Sequence, residues 1–593
     1  MSVRVQWLTG DPTAAAPPDL SQIRVILFAD DSGSFSETNA TVSSFETGEG
    51  GRRYVNTPLL SDLPTGQPIR ITIEGYREGG GFAYVGHVGP IVLRPGERRH
   101  VDLKMFELDR SINADVTGFT RRCLHTATSL PDGRVLVTGG FDDVVNGAPC
   151  APGAPAESRC FDLTATASAF VFEPSSGRMH PLRQNMLEAR AGHTATLLPD
   201  GRVLLAGGAP RATFVLSPIG VPSAPSGFAP DITPHVDGDE LGALDTFEIF
   251  DPGLNAEEVD AERDGDPARG GFVGAADAPT SPGRLNQQRF LHAAVATPDN
   301  PERVLLAGGM GGGRPDNTFE VFDDRRPGGY GFYGNVGSRL SASRMMPSAV
   351  ALTTPAPGSV WIFGGVTVPR GRSDLADVWT PDDADPNGSV ADATTTEFPN
   401  PTSGSTGDHP ELALLQPTAV AVAGSHALVL GWMGPRCVPG TTAPVFSGVA
   451  DGSDTELCAP PGMGEPTRAF VVNGETGTTE PQMTTGAHAF GAVASLDDGS
   501  IAVTGGLAGL IWTRQPLIEI FTGQVSGGTA VQLGTRYMLN TPRAFHTTSA
   551  LADMGILSVG GLNLSTDVRN MSLYAATEVL YPGRVPVPRP ATP

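Results

Sequence analysis

The chain has 593 residues and a formal net charge of −24. Such an acidic balance argues against nucleic-acid and anionic-membrane binding, because neutralising phosphates takes a basic surface. No apolar run approaches the roughly 18–20 residues of a membrane-spanning helix, while the length is ample for a large core.

From Met1 the chain leads straight into Val3-Arg-Val-Gln-Trp-Leu8, a strand-like run rather than a secretion leader. Residues 1–108 carry further strand-like runs at Gln22–Phe28, Pro68–Tyr76, Phe82–Val88 and His100–Phe106. Turn signals such as Leu63-Pro-Thr-Gly66 and Arg94-Pro-Gly-Glu97 separate them, a spacing that predicts a small β-sandwich. Lys104 is the only lysine among 40 basic residues, and Gly and Pro are abundant, a composition that points to a GC-rich bacterial coding sequence.

From residue 109 onward one phrase recurs seven times. Its clearest copies are Arg122-Cys-Leu-His-Thr-Ala-Thr-Ser-Leu-Pro-Asp-Gly-Arg-Val-Leu-Val-Thr-Gly-Gly140 and Arg190-Ala-Gly-His-Thr-Ala-Thr-Leu-Leu-Pro-Asp-Gly-Arg-Val-Leu-Leu-Ala-Gly-Gly208. Each reads as a β-hairpin: an alternating run, a Pro-Asp-Gly turn, a β-rich apolar run, then two glycines. Further copies end at Gly309, Gly365, Gly506 and Gly561, and a degraded one places Trp432 where the second glycine should stand. A third strand follows each copy, as in Thr246-Phe-Glu-Ile-Phe-Asp-Pro252, and a fourth leads into the next.

Four strands per unit with Gly-Gly after the second resembles the kelch repeat of the galactose-oxidase-like superfamily. The resemblance covers roughly residues 111–582 and implies an all-β fold: a seven-bladed kelch-like β-propeller at 109–582, preceded by the β-sandwich and followed by a Pro-rich tail at 583–593. It is specific for the fold and nearly silent on function. The last copy supplies three strands, so the stretch Arg110–Val116 is expected to complete its blade and close the ring. The N-terminal run of strands and turns resembles prealbumin-like accessory domains of bacterial surface proteins, which implies a spacer or adhesive module.

Of the five cysteines, Cys150 with Cys160 and Cys437 with Cys458 flank two long loops. Close pairs of this kind read as disulfides of an oxidising compartment, hence a secreted, periplasmic or lipid-anchored protein; free surface thiols of a cytosolic protein are the other reading. Cys123 is left over as a buried, inert thiol.

Each copy displays Arg and, three residues later, His. The Arg position holds Arg122, Arg190, Arg289, Arg344 and Arg543, with Leu414 and His488 in the degraded copies. The His position holds His125, His193, His292 and His546, then Pro347, Pro417 and Gly491. An active site is a single asymmetric constellation, so recurrence argues that the histidines are structural. The five arginines are candidates for a ligand face holding an acidic group, or are paired internally with carboxylates. Asp383-Ala-Asp-Pro-Asn-Gly-Ser389 opens like a calcium loop through Asp383, Asp385 and Asn387, but Thr394 stands where its closing Glu belongs.

No catalytic or cofactor-binding set stands out. The resemblance to radical-copper oxidases would require a Tyr-His ligand pair, and no propeller tyrosine is followed by His. The long insertions after Gly140, Gly208 and Trp432 share a face, where loops on a rigid scaffold commonly bind. The expected function is therefore a non-catalytic binding protein recognising a protein or glycan. The alternatives are a structural subunit of a cell-surface assembly that packs on copies of itself, and a propeller-type carbohydrate-active enzyme.

Overall fold

The computed structural model describes residues 2–583 except for loop segments, of which the longest are 8–19, 151–157, 235–241, 255–267, 382–388, 392–414, 440–455, 460–467 and 523–531. It is built almost wholly of strands. The N-terminal eight are β1 (Ser2–Trp7), β2 (Leu20–Ala29), β3 (Phe35–Thr41), β4 (Glu46–Thr47), β5 (Arg53–Asn56), β6 (Pro68–Arg77), β7 (Phe82–Val92) and β8 (His100–Glu107). They form one path, β3-β2-β6-β7-β8-β1-β5-β4. The path turns at β8, whose first six residues pair parallel with β1 and whose Phe106 and Glu107 pair with β7. Its two arms share a core of alternating residues, among them Val3, Val5, Val25, Ile71, Ile73 and Leu103.

Downstream, seven four-stranded antiparallel sheets repeat a single order among the described residues. In the first sheet Thr126–Ser129 pairs with Val135–Thr138, then with Ala169–Glu173 and Arg178–Pro181. The first strand of each sheet touches the first strand of the next all the way round, and Thr547–Leu551 of the last sheet touches Thr126–Ser129 of the first. The all-β class and the propeller arrangement follow. The last sheet takes its fourth strand from before the first: Ile112 pairs with Val579 and Asn113 with Glu578, making β9 (Ile112–Asn113) the closing strand.

The N-terminal module does not hang free as a spacer. Its Val85 and Phe106 join a cluster with Val135 and Phe172 of the first blade and Leu557, Val579 and Tyr581 of the last. Tyr581 is fully buried, with its ring 5.2 Å from that of Phe106 and its hydroxyl 3.4 Å from the His87 ring nitrogens. The Lys104 amide donates to the Ser175 carbonyl in a turn of the first blade. The module therefore covers the seam where the ring closes.

The insertions after Gly140 and Gly208 belong to neighbouring blades but merge into one additional sheet. Its strands Phe141–Asn146, Arg159–Ala165, Arg211–Val221 and Ala224–Pro234 lie side by side in that order. Cys150 and Cys160 form a disulfide in this sheet. Cys437 and Cys458 sit directly opposite each other in the register of the hairpin Arg436–Pro439/Glu456–Ala459; their side chains lie outside the described residues. Cys160→Ser is expected to cost about 2.5 kcal/mol, the chain-entropy value for a closed loop near ten residues. Urea unfolding with and without reductant should show the same loss in the parent and none in the variant.

Candidate functional site

The five arginines offered as a ligand face are not on a face at all: Arg122, Arg190, Arg289, Arg344 and Arg543 are each 0% exposed. Each guanidinium donates to the carbonyl of the first glycine in its own Gly-Gly pair, for example Arg190 to Gly207 at 2.7 Å and Arg289 to Gly308 at 2.8 Å. A carboxylate on the third strand supplies the counter-charge. Arg289 Nε lies 2.9 Å from Glu320, Arg344 lies 2.6 Å from Asp377, and Arg190 and Arg543 pair with Glu248 and Glu578. A buried charge persists only when it is paired and hydrogen-bonded, and here the partners come from within the blade.

Among the described residues, two blades depart from this scheme in an instructive way; Leu414, at the arginine position of a third, lies outside them. In the first, Phe170 occupies the place of the third-strand carboxylate. Arg122 is instead held between the rings of Phe119 and Phe170, each centroid 4.8 Å away, and bonded to Thr120 and Ser168 hydroxyls. Burial pulls its pKa down to about 10. In the sixth, His488 replaces the arginine and keeps both contacts: Nδ1 donates to the Gly505 carbonyl at 2.7 Å, and Nε2 lies 3.2 Å from Glu519.

The histidines stitch neighbouring blades together. Nε2 of His193 meets Thr126 of the preceding blade at 3.1 Å, that of His292 meets Thr194 at 2.9 Å, and that of His546 meets Thr504 at 2.8 Å. His125 closes the circle onto Thr547 of the last blade at 2.8 Å. Each of the four Nδ1 atoms is buried without a protein partner. Burial is the leading cause that holds all four rings far below the usual imidazole range, with His292 at about 3.

The Gly-Gly pair exists to let these groups approach. At the seam, a Cβ on Gly560 would stand 2.6 Å from the Arg122 carbonyl and 2.8 Å from His125 Cε1 of the first blade. One on Gly561 would stand 2.8 Å from the Ala544 carbonyl and 3.0 Å from His546 Cβ of its own blade. The second glycine also donates its N–H across the blade boundary: Gly140 to Arg190, Gly208 to Arg289, Gly309 to Arg344, Gly506 to Arg543 and Gly561 to Arg122. Arg289→Ala should cost about 3–5 kcal/mol, because it leaves the Glu320 carboxylate buried without its counter-ion. The shift in urea midpoint measures it, and a variant as stable as the parent would show that the pair is dispensable.

A second ring was not anticipated. In six of the seven copies the residue just before the histidine position is Leu124, Gly192, Leu291, Met346, Phe490 or Phe545, and all six have φ between 51° and 60°. Their amides donate round the axis, Phe545 to Phe490, Leu124 to Phe545, Gly192 to Leu124, Leu291 to Gly192 and Met346 to Leu291. Five non-glycine residues in left-handed geometry cost free energy, and this arc of hydrogen bonds holds them there. The rings of Phe490 and Phe545 stack at 4.3 Å, and Phe214 of the additional sheet meets Phe545 edge-on at 5.7 Å. These residues share one apolar cluster with Phe141, Phe161 and Leu163, so the additional sheet lids the axis with hydrocarbon. The signal was in the sequence: in six of the seven copies the residue before the His position is Leu, Gly, Met or Phe, and Gln416 stands there in the degraded one.

Cys123 is buried, and burial pushes its thiol up to about 12, as befits an inert position. Asp383, Asp385 and Asn387 lie outside the described residues. Among the described residues no three His, Cys, Asp or Glu side chains converge as metal ligands would, and no helix is long and apolar enough to cross a membrane.

No family model and no curated protein matches the chain. Among solved structures it is similar to a fungal alcohol oxidase of the AA5 family in complex with copper, at 14% identity and a TM-score of 0.44, over 80% of this chain and 76% of that one. It is also similar to YjhT, at 10% identity and a TM-score of 0.31, over 65% of this chain and 93% of that one. The expectation of a binding protein without chemistry finds no support among these structures, one of which is an oxidase. At such identities the likeness is one of fold, the all-β propeller.

Proposed function

We propose that the chain is a structural subunit of an extracytoplasmic assembly. One observation supports this reading above others: the polar side chains that recur round the ring are consumed by clasps within and between blades, and the N-terminal module is packed onto the seam. Such a body is built to hold its shape. The Cys150–Cys160 disulfide fits an oxidising compartment. Light scattering on the full chain over a range of concentrations should show a discrete assembly, and a monomer throughout would overturn the reading.

A carbohydrate-active enzyme on the propeller is the second reading, in keeping with the copper-bound alcohol oxidase among the similar structures. Turnover of alcohols or sugars by the purified chain, with and without added copper, would replace the first reading by this one.

A further inference from the structure

We infer that His125, His193, His292 and His546 each bind one internal water through Nδ1, so that four buried water sites recur at equivalent blade boundaries round the ring. All four side chains are at most 6% exposed. In each, Nε2 is spent on a threonine hydroxyl of the preceding blade. In each, Nδ1 is buried and meets no protein partner.

Imidazole chemistry makes this a demand rather than a detail. A neutral ring carries one N–H and one lone pair, so Nδ1 needs a partner in either tautomer, as acceptor or as donor. Left alone in the interior, it forfeits the hydrogen bond it makes in water. Turning the ring over is no remedy, because that sets a carbon against the threonine hydroxyl and gives up the Nε2 contact. At His193 that contact is doubled: Nε2 lies 3.1 Å from both Thr126 and Thr138, whose hydroxyls are 2.7 Å apart. Buried polar atoms without a partner are rare, and four at one position of the repeat mark a site.

Charge, space and neighbours select water as the occupant. Each ring lies in the field of its own blade's arginine, Arg122, Arg190, Arg289 or Arg543, which opposes a second proton or a metal cation. The surroundings are close: a Cβ on Gly139 would stand 2.9 Å from Cε1 of His193, and one on Gly208 3.0 Å from its Cβ. A buried water needs two to four polar partners. Each histidine directly precedes the first strand of its blade, and among the described residues that strand has a sheet neighbour on one side only, so backbone N–H and C=O groups of its other edge supply the remaining partners. The boundary between the third and fourth blades is the contrast. There Ala293 pairs with Ala307 at the two positions that Thr126 and Thr138 hold in the first blade. Pro347 replaces the histidine, 3.3 Å from where a Cβ on Gly308 would stand. Hydroxyl and ring nitrogen are missing together, and no water site is expected.

A crystal structure of the full chain, at a resolution that shows ordered water, tests the inference. It should show one water within about 3.2 Å of each of the four Nδ1 atoms and none between Ala293 and Pro347. His193→Phe, which keeps a flat ring but no nitrogen, should lose its own water while the other three stay. An Nδ1 that meets a protein atom or no water at all would overturn the inference. Water that persists in His193→Phe, or that also fills the boundary at Ala293, would show that the site does not depend on histidine and would overturn it equally. If His193→Phe does not fold, the four sites and the alanine boundary of the parent chain decide the matter alone.

Discussion

Removing residues 1–120 is expected to leave no folded monomer. The segment from Asp109 to Asp115 is bonded on both sides of the seam. Asp109 donates to Tyr581 and Ala114 to Thr577 of the last blade, while Asp115 exchanges backbone bonds with Gly177 and Met179 of the first. Ser111 donates to the Glu578 carboxylate at 2.7 Å, so the closing strand also helps to position the partner of Arg543. Truncation strips Val85, Phe106, Ile112 and Phe119 from the cluster that contains Tyr581. At about 1.5–3 kcal/mol for each large buried side chain, the loss is comparable to the whole stability of a typical domain. Size-exclusion chromatography and near-ultraviolet circular dichroism of residues 121–593 are the measurements. A monomer with native-like signals would show that the ring holds without β9.

Acid should destabilise this protein earlier than carboxylate titration would. His125, His193, His292 and His546 are held neutral by burial, with folded pKa values below that of the free imidazole. The unfolded chain therefore binds more protons than the folded one once pH falls below about 6.5, and stability falls with pH from there. For His292, with a folded value of about 3, the loss at pH 5 is about 2 kcal/mol. The other three histidines act with the same sign. Glu248 and Asp324 oppose the trend, since burial raises both carboxyls, but they are two groups against four. Urea midpoints at pH 7.5 and 5.0 should differ strongly, and His292→Gln should reduce the difference. Equal midpoints at the two pH values would mean that these rings are not buried neutral.

The fold was legible because its signals are local. Pro-Asp-Gly makes the hairpin turn, and in the structure Asp132 and Asp200 accept from the amides of Arg134 and Arg202 two residues on. The last copy, ending at Gly561, supplies three strands and so left a gap that Arg110–Val116 could fill, and β9 fills it. The histidines were also legible, because repetition itself marks a contact between repeats.

The arginines were left with two readings, and of these internal pairing with carboxylates holds for Arg190, Arg289, Arg344 and Arg543 while the ligand face does not; the sequence could not choose because burial is not local. Thr246-Phe-Glu248 and Thr318-Phe-Glu320 were read as strand, and nothing along the chain says that their carboxylates lie under Arg190 and Arg289. The axial ring was missed for the same reason: Leu124, Leu291, Met346, Phe490 and Phe545 lie far apart in sequence and meet only once the blades are arranged in a circle. The two insertions looked like independent loops, yet Arg159–Leu163 pairs with Ala212–Leu216 from the next blade.

By itself, the sequence determined the repeating unit, its hairpins and the strand that closes the ring, since these depend on turn chemistry and alternation within a few residues. Only the tertiary structure decided what faces the axis, which charges are buried and where the N-terminal module rests. Those properties arise between segments hundreds of residues apart, where desolvation and close packing, not local propensity, set the free energy.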